Sequence, residues 1–204
     1  MATDSGTPPS SSRVPWPNLV TAFRLVLLAP ILALAARGGS PAAYRAALAL
    51  LLAAGASDGV DGWLARRLGA TSPIGVFFDP LADKILANVL LVFLAASVPE
   101  WVSPWLVMLL LAREFAVQGF RSMAPCRGVV LRTRFTNKLK FCLQFGCLAC
   151  TLAGLGWSGI AEAMRLLGRL SLWLATAVAY VSMAQILWRN RDLWRRPLVP
   201  LEER

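Results

Sequence analysis

Four of the eleven acidic residues of this chain fall within one short segment, and their spacing is that of a reactive site. They are Asp58, Asp61, Asp79 and Asp83. The first two are spaced i, i+3 and the last two i, i+4, so each pair would share one face of a helix. Ionisable side chains at membrane depth are costly and by default indicate a functional site. Two such faces on adjacent helices would gather four carboxylates around one point.

The chemistry of four adjoining carboxylates points to metal ions. Their charges cannot share a partly dry pocket unless cations join them. Ligand sets made only of oxygen, without histidine or cysteine, favour Mg²⁺ or Mn²⁺. Two such ions close together commonly promote displacement at phosphorus. The sequence therefore predicts a site with two divalent metals that acts on a diphosphate.

A purely structural explanation of the same residues remains open at this point. Asp58 and Asp61 could pair with Arg66 and Arg67 further along the same helix. Asp79 before a proline also fits a helix N-cap followed by proline at the first helical position. The small residues nearby, such as Gly62, allow either a ligand to approach the backbone or helices to pack closely.

The composition restricts the class of protein. Of the 204 residues, 57% are hydrophobic and only 16% are charged, whereas soluble domains contain roughly 25% charged residues. The chain has no histidine. This excludes histidine general bases, Ser-His-Asp triads and zinc sites with histidine ligands.

Six apolar stretches are each close to the ~20 residues that a helix needs to cross a bilayer. They are 18–36, 42–57, 81–98, 101–118, 141–157 and 170–188. The second continues as a helix through 58–67, which carries the first two aspartates. The predicted fold is all-α, an integral membrane bundle of six transmembrane helices. The expected organisation is a disordered tail over 1–17, a membrane domain over 18–188 and a basic cytoplasmic tail over 189–204.

The distribution of cations predicts the orientation. With six crossings, fourteen of the 21 Lys and Arg residues fall on the side of the two termini and four on the opposite side. The excess of cations on cytoplasmic loops therefore places both termini and the aspartates on the cytoplasmic side. The membrane itself is expected to be the cytoplasmic membrane of a bacterium. Nucleic acid is not an expected partner, because these charges flank membrane helices.

The segment that contains the four aspartates resembles the signature of the CDP-alcohol phosphatidyltransferase family and matches it at every fixed position. The signature residues are Asp58, Asp61, Gly62, Ala65, Arg66, Gly75, Asp79 and Asp83. The resemblance implies that the four aspartates hold two Mg²⁺ or Mn²⁺ ions, and that Asp83 also deprotonates the acceptor hydroxyl. The donor-binding residues that it implies are Asp61, Gly62, Ala65, Arg66 and Gly75. It also implies a homodimer.

The acceptor is suggested by three further segments. Residues 17–24, 77–84 and 112–114 resemble the family members that use sn-glycerol 3-phosphate. A phosphate acceptor requires cations, and the expected phosphate-binding residues are Arg113, Arg121, Lys138 and Lys140. Those members carry Gly-Lys-x-Lys-Thr where this chain has Asn137 and Phe141 in place of the Gly and Thr. Plain cytoplasmic charge is the alternative role for the two lysines.

The expected reaction transfers a phosphatidyl group from CDP-diacylglycerol to sn-glycerol 3-phosphate, giving phosphatidylglycerophosphate and CMP. Inositol phosphate, serine or phosphatidylglycerol, the last for cardiolipin synthesis, are alternative acceptors. A membrane prenyltransferase would release pyrophosphate instead of CMP. A non-enzymatic metal-binding membrane protein remains a further alternative.

Overall fold

The computed structural model describes residues 16–68, 73–124 and 135–191, and describes side chains over 25–56, 84–124 and 137–191. Within these ranges the regular structure is entirely helical, which confirms the all-α prediction. The helices are α1 (Trp16–Ala36), α2 (Pro41–Leu68), α3 (Pro73–Ser97), α4 (Pro104–Met123), α5 (Phe135–Gly156) and α6 (Ala161–Arg189). A short 3₁₀ turn, Ser158–Ile160, precedes α6.

The six helices correspond to the six predicted stretches, but several of them are longer. The helix α6 begins at Ala161 instead of near residue 170, because its first turns contain charged residues that the apolar pattern does not include. At the other end of the chain, α1 begins at Trp16, and the rest of the predicted disordered tail lies outside the described residues. The same holds for residues 192–204 of the predicted basic tail.

The start of α3 corrects one explanation of Asp79. The helix begins at Pro73, so Asp79 and Pro80 both lie inside it. Asp79 is therefore not the N-cap of this helix. Proline at a first helical position occurs instead at Pro73, as it does at Pro41 and Pro104 in α2 and α4, because its fixed φ suits that position and its missing N–H is not needed there.

Contacts between distant parts of the chain show that the helices alternate in direction. At the start of α6, Arg169 Nε donates a hydrogen bond to the carbonyl oxygen of Glu100, between α3 and α4 (3.1 Å). The Arg45 guanidinium of α2 lies 5.7 Å from the ring centroid of Trp157, between α5 and α6. The α1–α2, α3–α4 and α5–α6 connections therefore meet at one end of the bundle. The end of α2 and the start of α3 lie at the opposite end.

The interior of the bundle is built from leucine and alanine, and α5 packs against α2, α3 and α6. The largest buried apolar side chains are Ile31, Leu51, Leu90, Leu91, Leu94, Leu110, Leu148, Leu152 and Leu172. The outside is also apolar: Trp105 and Phe115 on α4 are each 75% exposed, and Trp173 on α6 is 63% exposed. Such a surface is typical of helices that face lipid. In the described part of the chain, Asn137–Gly156 and Ser158–Arg189 are long and apolar enough to cross a membrane.

Gly154 marks a close approach within the bundle, and its substitution should be costly. A Cβ atom there would overlap the Trp101 ring and lie 3.0 Å from the Cβ of Met164. We expect Gly154→Ala to lower the free energy of unfolding by about 1–3 kcal/mol. Gly146→Ala in the same helix is the matched control, because its Cβ would meet only Ser171 Oγ at 3.8 Å. The midpoints of thermal unfolding in detergent micelles compare the two variants, and equal midpoints would contradict the predicted overlap at Gly154.

Candidate active site

The signature aspartates lie on the two helices that adjoin one connection. Asp58 and Asp61 are in the last part of α2, which ends at Leu68. Asp79 and Asp83 are in the first half of α3. The helical backbone bears out the premise that each pair is spaced along one helix face. Their side chains lie outside the described ones, so their role as metal ligands remains a prediction.

The donor-binding residues of the signature have the same placement. Gly62, Ala65 and Arg66 belong to α2, and Gly75 lies in the first turn of α3. Their side-chain environments also lie outside the described residues. The helical backbone thus brings the signature to a single end of the bundle, on consecutive turns of two helices.

A group of four charged residues on α3, α4 and α5 adjoins this segment, and we call Lys84, Arg113, Glu114 and Lys140 the Glu114 cluster. Oε1 of Glu114 accepts a hydrogen bond from Arg113 Nη1 at 2.9 Å and another from Lys140 Nζ. Its Oε2 lies 3.5 Å from Lys84 Nζ. Lys84 directly follows Asp83 in α3. Three cations therefore surround one carboxylate, and one of these cations directly follows the predicted base in the sequence.

Arg113 uses its guanidinium to join three helices. The residue is 3% exposed. Its Nε donates to the carbonyl oxygen of Ala179 in α6 at 2.9 Å, and its Nη2 donates to Asn137 Oδ1 in α5 at 3.3 Å. Together with Glu114, these partners account for all three nitrogens. The arrangement suits a structural link better than a phosphate ligand.

The other two residues of the predicted phosphate-binding set lie elsewhere. Arg121 follows Arg113 by eight residues along α4, a rise of about 12 Å. Its Nε is buried and has no hydrogen-bond partner among the described residues. Lys138 is exposed on α5. The structure thus brings Arg113 and Lys140 together and leaves Arg121 and Lys138 outside that contact.

Lys84 and a neighbouring amide pair are parts of this site that the sequence analysis did not identify. Gln144 is buried, and its Nε2 donates to Asn88 Oδ1 at 3.4 Å. Asn88 lies one helical turn from Lys84 on α3, and Gln144 one turn from Lys140 on α5. The repeated i, i+4 spacing of polar residues in two apolar helices was the available signal.

Comparison with known proteins gives the class of this protein. The family model for CDP-alcohol phosphatidyltransferase matches residues 15–186, which include all six helices almost to the end of α6. The chain belongs to the CDP-alcohol phosphatidyltransferase family and is a transferase.

The similarity to individual relatives is more specific than the family match. The chain is 32% identical over 137 residues to the CDP-diacylglycerol–glycerol-3-phosphate 3-phosphatidyltransferase of Bacillus subtilis (strain 168), covering 66% of this chain and 70% of the relative. It is 31% identical over 166 residues to the protein of the same name from Rickettsia typhi (strain Wilmington), covering 81% and 91%. The relative from Wigglesworthia glossinidia brevipalpis, which has the same name, is 31% identical over 186 residues, covering 88% and 97%.

Proposed function

We propose that this protein transfers the phosphatidyl group of CDP-diacylglycerol to sn-glycerol 3-phosphate and releases CMP. The relatives described above are named for both substrates. The observation that carries the choice of acceptor is the Glu114 cluster, in which three cations surround one carboxylate and one of them, Lys84, directly follows Asp83 in α3. Its excess positive charge suits an acceptor with a phosphate group. Serine or a lipid alcohol would not need it.

In the proposed reaction, the acceptor hydroxyl oxygen attacks the β-phosphorus of the donor. A new P–O bond forms, the bond to the CMP oxygen breaks, and the hydroxyl proton passes to Asp83. A carboxylate at this position can serve as a base without any histidine. The remaining work is positioning and stabilisation of charge.

We also propose that Asp58, Asp61, Asp79 and Asp83 hold two Mg²⁺ or Mn²⁺ ions. The fit rests on the donor set, which is four carboxylates on consecutive turns of α2 and α3. When bound, such ions would neutralise the donor diphosphate. Arg66 on α2 adds a cation for that diphosphate, and Gly62 and Gly75 leave room for the nucleotide.

We propose that all six helices cross the cytoplasmic membrane, with both termini and the active site on the cytoplasmic side. The alternating helix directions and the apolar outer faces of α4 and α6 support this arrangement. The cytoplasmic assignment rests on the excess of Lys and Arg on the side of the aspartates. A homodimer is proposed from the family resemblance alone.

The test is CMP release by the purified protein in detergent, with CDP-diacylglycerol, Mg²⁺ and one acceptor at a time. The acceptors are sn-glycerol 3-phosphate, inositol phosphate, serine and phosphatidylglycerol. We expect CMP release with sn-glycerol 3-phosphate and with none of the other three acceptors. Release with a different acceptor would keep the chemistry and reject the proposed acceptor, whereas release of pyrophosphate would indicate prenyl transfer.

Arg121→Ala should weaken the use of the acceptor. The buried Nε of Arg121 lacks a hydrogen-bond partner among the described residues, so an acceptor phosphate could supply it. Loss of a charge-assisted hydrogen bond should raise the KM for glycerol 3-phosphate about tenfold, with little change in the KM for CDP-diacylglycerol. Arg165→Ala at the opposite end of the bundle is the control. Equal kinetics for the two variants would exclude Arg121 from the acceptor site.

A further inference from the structure

Glu114 connects three helices through one carboxylate. It belongs to α4, Lys84 to α3 and Lys140 to α5, and the side chains of Glu114 and Lys140 are only 11% and 6% exposed. Cations held this close in a poorly solvated place repel one another unless a negative charge lies between them. Glu114 is therefore the group that keeps these amines together.

The members of the cluster differ in whether a soluble ligand can reach them. Arg113 is enclosed and also held by Ala179 and Asn137. Lys84 has the most exposed side chain of the cluster, at 38%, and its Nζ contacts Glu114 Oε2. Lys84 also follows Asp83 directly. A ligand phosphate that meets Lys84 would thus reach the same stretch of α3 that carries the predicted base.

We propose that Glu114 is a positioning residue for the acceptor phosphate, because it holds the ammonium groups of Lys84 and Lys140 side by side near the middle of the active-site helix α3. This inference rests on the proposed function and makes Lys84 a phosphate-binding residue. One carboxylate against three cations leaves positive charge that a phosphate group neutralises. Glu114 itself does not touch the reacting atoms.

The first test is the kinetics of Glu114→Gln, which preserves the shape of the side chain and removes its charge. We expect the KM for glycerol 3-phosphate to rise about tenfold or more, while the KM for CDP-diacylglycerol changes less than about twofold. Glu114→Asp keeps the carboxylate and should recover part of the loss. Glu162→Gln is the matched control, because Glu162 is exposed and contacts only Arg165 among the described ion pairs.

The second test does not depend on turnover. An amine-reactive acyl reagent, followed by mass spectrometry, measures the reactivity of Lys84, with exposed Lys138 as the internal reference. Freed from its ion pair in Glu114→Gln, Lys84 should react about two to five times faster. Inorganic phosphate should protect Lys84 in the wild-type protein and protect it less in the variant.

The two tests separate the possible failures. If the wild-type protein releases no CMP with glycerol 3-phosphate but phosphate still protects Lys84, the proposed acceptor is wrong and the phosphate site stands. An unchanged KM for glycerol 3-phosphate in folded Glu114→Gln overturns the positioning role. An equal rise in the KM values for glycerol 3-phosphate and CDP-diacylglycerol that Glu114→Asp does not reverse also overturns it, because that pattern indicates general structural damage.

Discussion

Asp83→Asn is expected to reduce CMP release about a thousandfold. Asparagine has nearly the same shape as aspartate but cannot accept the proton of the acceptor hydroxyl. Loss of a general base alone typically costs about 10²–10⁴ in rate. The measurement is initial-rate CMP release at saturating concentrations of both substrates.

The neighbouring aspartate gives the comparison that separates a base from a metal ligand. Because both residues are proposed metal ligands, we expect Asp79→Asn and Asp83→Asn each to weaken Mn²⁺ binding. Excess Mn²⁺ should restore much of the activity of Asp79→Asn but not that of Asp83→Asn, which lacks the base. Glu162→Gln, a neutralised carboxylate far from this end of the bundle, should be fully active. If Asp83→Asn retained more than about a tenth of the wild-type rate, another group would have to take the proton.

Removal of divalent metal is the second large effect. A chelator such as EDTA should reduce CMP release to background, and excess Mg²⁺ or Mn²⁺ should restore it. The reason is that four carboxylates and a donor diphosphate cannot approach one another without cations between them. Titration of metal-free protein with Mn²⁺, followed by electron paramagnetic resonance, should approach about two ions per chain.

The controls for the metal prediction follow from its electrostatic basis. The chelator saturated with Mg²⁺ should have no effect, and sodium ions should not replace Mg²⁺, because a single charge neutralises the site poorly. Asp58→Asn and Asp61→Asn should each weaken Mn²⁺ binding. Full activity in the presence of free chelator would reject the metal site and leave the family chemistry without its expected cofactor.

The class of the protein and the location of its reactive segment could be predicted from the sequence. Helix periodicity and the spacing of Asp58, Asp61, Asp79 and Asp83 are local properties, set by residues within one turn of each other. The hydrophobic stretches are equally local, which is why six helices were expected and six are described. The predictions of where helices start were less accurate. The Asp79–Pro80 pair has the sequence of an N-cap, yet α3 already begins at Pro73.

Only the tertiary structure determined which of the basic residues lie together and which groups they contact. Arg113 and Ala179 are 66 residues apart in the sequence, and Glu114 and Lys140 are 26 apart. No periodicity relates such distant positions, so the sequence could group Arg113, Arg121, Lys138 and Lys140 only by their charge. Packing of α4 against α3 and α6, with side chains of α5 reaching it, buries Arg113 as a structural link and leaves Lys138 exposed. It also brings Lys84 to Glu114, because a buried carboxylate is stable only where cations from neighbouring helices converge on it.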